Sequence, residues 1–385
     1  MAKIRFSDRF DQIHQIAMDA TGLSDFGDTD YHGPFRRILE AVDEDLGDRF
    51  ILGGAEAAMA YLSVALISRL HTEEGWKKYP AYKGVKITKP LIIVGMPRTG
   101  TTVLHKLLSV DPQFQSVPLW LFQRPTVRPP RDEWEANANY QRCVAAYKAT
   151  FASDEDINKY HEMVLDEADE CWWGLQQSFV TDTFYCGLGI ASFAAWWNQQ
   201  SERDTYRRYA DLLRLIGLND SRRWLLKNPY HTLHPHLVLE TFPDACIVHT
   251  HRDPRKSIPS FANLLDLSQR SYVGDNRFPK RTGLIEANKW SQGILRTEYV
   301  RKHHPDRFYD VLQRDFLADP LKVVKGIYQY FELTLTEETE SAMLQAVENH
   351  DQEKKKGSSH NPEYFGLSDD VLGELFAGYI GKYRL

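Results

Sequence analysis

Along the middle and end of the chain, short apolar runs alternate with segments of helical period. Leu91-Ile92-Ile93-Val94 is short, β-branched and free of polar residues, which predicts a buried parallel strand. A glycine loop follows, and Val103–Leu108 carries on with helical spacing. Arg223–Lys227 and Cys246–Thr250 predict two more strands, joined by a helix over His234–Phe242. Residues 284–303 predict a long helix, Phe308–Val311 a further strand and Pro320–Phe331 another helix. A last helix is expected over Asp369–Tyr383, after a charged loop at 351–361. Strands alternating with helices predict an α/β fold with a central parallel sheet flanked by helices on both faces.

The remainder is patterned differently. Residues 1–88 predict a mainly helical N-terminal region: Arg36–Val42 and Glu56–His71 carry apolar residues at helical spacing, and Thr72–Lys89 reads as a polar connection. Asp111-Pro112 breaks the pattern after the first strand and its helix, and Pro125–Arg131 predicts an extended loop. From Asp132 to about Leu218 the pattern is again helical and unusually aromatic. Six of the nine tryptophans (120, 134, 172, 173, 196 and 197) fall there or just before, joined by Phe151, Tyr160, Phe179, Phe184, Tyr185 and Phe193. Two readings stand side by side: a helical layer that packs its core with rings, or an apolar pocket or lid for a hydrophobic substrate. Adjacent rings in Trp172-Trp173 and Trp196-Trp197 cannot face one pocket together, so half of each pair is expected in the core. The expected organisation is the region 1–88 followed by a domain over 89–385, with 120–218 as its helical aromatic insertion or lid.

Composition narrows the class. The 385 residues are 42% hydrophobic and 26% charged, values of an ordinary soluble globular protein. A net charge of −6 argues against a general nucleic-acid binder. The four cysteines are scattered with no CxxC pair, which predicts buried free thiols rather than a metal site. The N-terminal MAKIRFSDRF lacks the apolar core of a signal peptide, and no stretch approaches a membrane span in length. A cytoplasmic location without an integral span is therefore expected.

The candidate chemistry lies behind the strands. Gly95-x4-Gly100 has the spacing of the phosphate loop of nucleotide hydrolases, but Thr101 stands where those enzymes place lysine. The cation has moved to Arg98. Backbone N–H groups of such a loop and the start of the next helix converge on one point and suit a phosphate-like anion. Two further polar clusters follow strand-like runs: Lys227 to His231, and Arg252 with Ser260 eight residues on. All three fall at the carboxyl edge of a parallel sheet. Together they would hold a ligand with two separated negative groups.

At these residues the chain resembles the sulfotransferases that use 3′-phosphoadenylyl sulfate (PAPS), over roughly residues 90–385 and more loosely over 120–215. Pro97–Thr102, PRTGTT, is similar to that family's loop for the 5′-phosphosulfate, in the form of its bacterial branch. Val248–Ser260, VHTHRDPRKSIPS, resembles its 3′-phosphate element, and Gly357–Asp370 resembles its closing segment. The resemblance implies a P-loop-like sulfotransferase fold and in-line transfer of a sulfuryl group from PAPS, with PAP as product and no metal. The acceptor would be a hydroxyl of an apolar or amphipathic small molecule, lipid or glycan. Thr99, Gly100, Thr101 and Thr102 would hold the 5′-phosphate, Arg98 the charge on the bridging oxygen, and Lys227 the transferring sulfuryl. Arg252 and Ser260 would grip the 3′-phosphate, with Lys355, Lys356 and Gly357 closing over it.

For the general base, His231 lies four residues after Lys227, while the acidic run 166–170, with Glu170 before an apolar helix, offers carboxylates. Relatives often place a glutamate where this chain has Leu121. His105 is expected to be packed, and alternation puts His249 and His251 on one face of a strand. A phosphate-loop kinase or hydrolase, and a catalytically silent nucleotide-binding protein, are the alternatives.

Overall fold

Every strand expected from the apolar runs forms, and all of them pair in parallel. The computed structural model describes residues 5–150, 164–352 and 361–385. Strands β1 (Leu91–Gly95), β2 (Phe114–Gln115), β3 (Arg223–Lys227), β4 (Cys246–His251) and β5 (Phe308–Leu312) make one sheet in the order β2-β3-β1-β4-β5. Strand β1 is central and buried along its whole length, which is why its sequence carries no polar residue. The register sets Ile93 beside Lys227 on one side and beside Val248 on the other, so the ends of β3, β1 and β4 lie at one edge. Only β2 escapes the sequence pattern, since two residues are too few for a period to show.

The chain divides into two compact units. The sheet belongs to the unit formed from Ile87–Ser116, Arg222–Asn263 and Phe278–Leu385. Its core on one side of the sheet joins Leu91, Ile93, Leu225 and Val248 to Leu104, Leu107 and Leu108 of the helix after β1, and to Val324, Ile327 and Phe331. The helices Pro235–Thr241, Pro279–His303 and Pro320–Tyr330 each have a proline in the first turn, where the missing N–H costs nothing. The expected last helix is two, Asp369–Leu375 and Ala377–Tyr383, parted at Phe376; Ser368 caps the first by accepting from the Val371 N–H.

The other unit is helical and draws on Met1–Lys86, Val117–Ser221 and Leu264–Arg277. The aromatic segment thus packs with the N-terminal helices, where the sequence reading set it in the sheet-bearing domain. Its longest helix, Gly54–Lys78, runs through the stretch expected as a polar connection. Trp76 explains the extension: its indole N–H donates to the Asp211 carbonyl and its ring stacks on Tyr82. Of the paired tryptophans, Trp173 and Trp197 are buried while Trp172 and Trp196 are half-buried, one of each pair in the core as expected. Phe151 and Tyr160 lie outside the described residues. The four cysteines are free thiols, three of them buried. Among the described residues no helix is long and apolar enough to cross a membrane.

Candidate functional site

Gly95 ends β1 with φ at 138°, and its N–H donates to Thr232 Oγ1 at 2.8 Å. A Cβ there would run into the hydroxyl and carbonyl of Thr250 on neighbouring β4, so the close approach of two strands demands glycine. The chain turns and reaches Arg98 with φ at 66°, a left-handed conformation that a non-glycine residue adopts only when its surroundings hold it there. Gly100, at φ 95°, then opens the helix Thr101–Leu108.

Both ends of Arg98 are engaged in a way that explains the strain. Its carbonyl accepts from Arg252 Nη1 at 2.8 Å and from Gln313 Nε2 at 3.4 Å. Its side-chain Nε donates to Ser260 Oγ at 3.3 Å. Arg98, Arg252 and Ser260 come from the ends of β1 and β4 and from the helix Pro254–Val273, yet they form one hydrogen-bonded group. Burial first, and then the charge of Arg98, lower the pKa of Arg252. Two guanidinium groups this close repel each other, and a bound anion would relieve the repulsion.

Lys227 adds a third cation. It is buried at the end of β3, and its Nζ donates to Thr102 Oγ1 at 3.3 Å. Thr102 is exposed at the start of the helix, whereas Thr99 and Thr101 are buried. Thr99 braces the loop: its hydroxyl lies 2.6 Å from the Met96 carbonyl and 2.6 Å from Thr250 Oγ1. The arrangement offers loop and helix N–H groups, two arginines and a lysine around one sheet edge, a setting for a polyanion.

The candidate bases differ in setting. His231 is buried in the turn after β3, and burial, helped by the charge of His234, pushes its pKa down to about 3. His105 is packed as expected; burial and the Lys227 ammonium bring it to about 3 as well. Glu170 belongs to the helical unit. It is buried, and its N–H is bound by the Asp169 carboxylate. The acidic run lies antiparallel to 117–120, with Trp120 N–H donating to the Leu165 carbonyl and Asp169 N–H to the Val117 carbonyl. It therefore lies alongside 117–119, just ahead of Leu121, the position at which the sequence resemblance looks for a glutamate. Asp166 of this run pairs with Arg131 at 3.0 Å. Lys355, Lys356 and Gly357 lie outside the described residues.

Three site residues escaped the sequence reading. Gln313 follows β5 and reaches the Arg98 carbonyl, Thr250 braces Thr99, and Thr232 receives the Gly95 N–H. Gln313 carried one usable signal, since it directly follows a strand as the other site residues do. The two threonines carried none, being ordinary residues that matter through what lies across from them.

Comparison with known proteins bears on the family and the fold. The profile of the sulfotransferase family matches residues 90–337. The omega-hydroxy-beta-dihydromenaquinone-9 sulfotransferase of Mycobacterium bovis is 27% identical over 309 residues, covering 75% of this chain and 74% of the relative. Among solved structures, the sulfotransferase STF1 of Mycobacterium tuberculosis is 33% identical with a TM-score of 0.86, over 97% of this chain and all of that one. The sulfotransferase STF9 of Mycobacterium avium shares the fold at 24% identity, with a TM-score of 0.87 over 97% and 96% of the two chains.

Proposed function

Since the chain belongs to the sulfotransferase family, we propose that it moves a sulfuryl group from PAPS to a hydroxyl on an apolar, lipid-like acceptor. The observation that carries the reading is the joining of Arg98, Arg252 and Ser260 beside the buried Lys227. Such a group matches a nucleotide with a phosphosulfate at one end and a second phosphate at the other. In the transfer the acceptor oxygen forms a bond to sulfur as the bond from sulfur to the bridging phosphate oxygen breaks. The acceptor proton passes to a base, and PAP departs with the electron pair. Positioning and electrostatics supply most of the acceleration in the analogous phosphoryl transfers.

Each residue then has a role. The loop N–H groups with Thr101 and Thr102 hold the 5′-phosphate, and Gly100 lets the loop approach it. Arg98 takes up charge on the bridging oxygen, and Lys227 holds the sulfuryl oxygens. Arg252 and Ser260 grip the 3′-phosphate. His231 follows Lys227 in the same unit, but an imidazole with a pKa near 3 is a feeble proton acceptor at neutral pH. The lipid-like acceptor is supported by the relative whose name specifies a hydroxylated dihydromenaquinone.

Isothermal titration tests the donor. Adenosine 3′,5′-bisphosphate is expected to bind and ATP is not. Binding of ATP alone would instead favour a kinase or hydrolase.

A further inference from the structure

Directly beneath Arg252 lies a buried polar group for which the reaction chemistry assigns no task. His251, the last residue of β4, is fully buried, and its ring is held on every side. Nε2 is 2.8 Å from Asp310 Oδ1, Nδ1 is 3.0 Å from Tyr379 Oη, and the face stacks on Tyr383 at 3.8 Å and 19°. Arg301 donates to both oxygens of Asp310 at 2.6 Å, to Tyr383 Oη at 3.0 Å and to His249 Nδ1 at 3.1 Å.

These bonds fix the proton positions. Burial would raise the Asp310 carboxyl, but hydrogen bonds from His251 and Arg301 outweigh it and keep the group ionised. An ionised carboxylate only accepts, so His251 carries its proton on Nε2 and Nδ1 accepts from the Tyr379 hydroxyl. The Arg252 main-chain N–H faces that same hydroxyl. His249, His251 and Asp310 offer ligand atoms within 4.8 Å of one another, as a metal site would. Arg301 already supplies the positive charge there and occupies Asp310 and His249 Nδ1, so the carboxylate is balanced without a metal ion.

The same C-terminal segment holds the helix that follows. Arg255 Nη2 in its first turn donates to the Leu385 carbonyl at 3.4 Å, while Arg314, after β5, donates to the Arg384 carbonyl at 2.6 Å. Arg255 lies between Arg252 and Ser260 and is itself oriented by Asp253 at 2.9 Å. The strand end and the helix start that present Arg252 and Ser260 are thus both fastened to residues 379–385.

We propose that Tyr379, Tyr383, Asp310 and Arg301 act through His251 as positioning residues for Arg252, so that this network sets the affinity for the 3′-phosphate of the donor nucleotide. The inference rests on the reading of Arg252 given above. A merely structural role would weaken all ligands together, whereas a positioning role acts on one phosphate.

The experiment is titration of Tyr379→Phe and Arg252→Ala with adenosine 3′,5′-bisphosphate and with adenosine 5′-monophosphate, which lacks the 3′-phosphate. Tyr379→Phe is expected to lose about three- to tenfold in affinity for the bisphosphate and nothing for the monophosphate, with kcat retained at saturating donor. Should Tyr379→Phe fail to fold, Tyr383→Phe serves for the same comparison; it removes only a hydroxyl bound to Arg301 and Glu298. An equal loss for both nucleotides, or no loss, while Arg252→Ala does discriminate, would overturn the inference. If Arg252→Ala itself fails to discriminate, the assignment of the 3′-phosphate site falls and the inference with it.

Discussion

Arg98 does more than carry a charge. Its left-handed backbone turns its carbonyl toward Arg252 and Gln313 while its side chain reaches Ser260, so one residue ties three chain segments together. Sequence could mark Arg98 as the loop's cation, because the lysine of a phosphate loop is missing at Thr101. It could not reveal the strained φ or the carbonyl contacts, which depend on partners 154 and 215 residues away. The base is also a matter of single residues. His231→Gln should keep kcat within about threefold. Steady-state kinetics on this variant decides it, and a fall of about a hundredfold or more would return the role to the histidine.

At the level of elements, short apolar runs were enough to place β1, β3, β4 and β5, most clearly β1, which is buried along its whole length and carries no polar residue. The carboxyl-edge clustering of Arg98, Lys227 and Arg252 follows from that pattern alone. Elements whose limits are set by tertiary contact were harder to read. Gly54–Lys78 continues past its apolar stripe because Trp76 finds partners in Asp211 and Tyr82. Histidines 249 and 251 were legible as neighbours on one face, and their rings do lie 4.1 Å apart. Their partners Asp310, Arg301 and Tyr379 come from later elements, and nothing in the local sequence pointed to them.

Across the whole molecule, buried neutral histidines couple stability to pH. His71, His105 and His231 are all pushed by burial to about 3, well below the unfolded value near 6.5. Unfolding in mild acid therefore takes up protons. Their contribution is complete above about pH 6.5 and is lost as pH falls toward the folded value. Three such groups remove on the order of 3 to 4 kcal/mol between pH 7.5 and 5.5. Urea unfolding at the two pH values should show the midpoint fall, and an unchanged midpoint would mean that these rings are not buried neutral.

Transfer of labelled sulfuryl from PAPS to a hydroxylated lipid, with an isoprenoid quinone as the probe, is the most direct measurement of the proposed reaction. The wild-type protein is expected to move the label from nucleotide to quinone, with PAP as the other product. Arg98→Ala and Lys227→Ala should slow that transfer by about 10² to 10³. Label that stays on the nucleotide or appears as free sulfate, or a rate indifferent to both substitutions, would contradict the account.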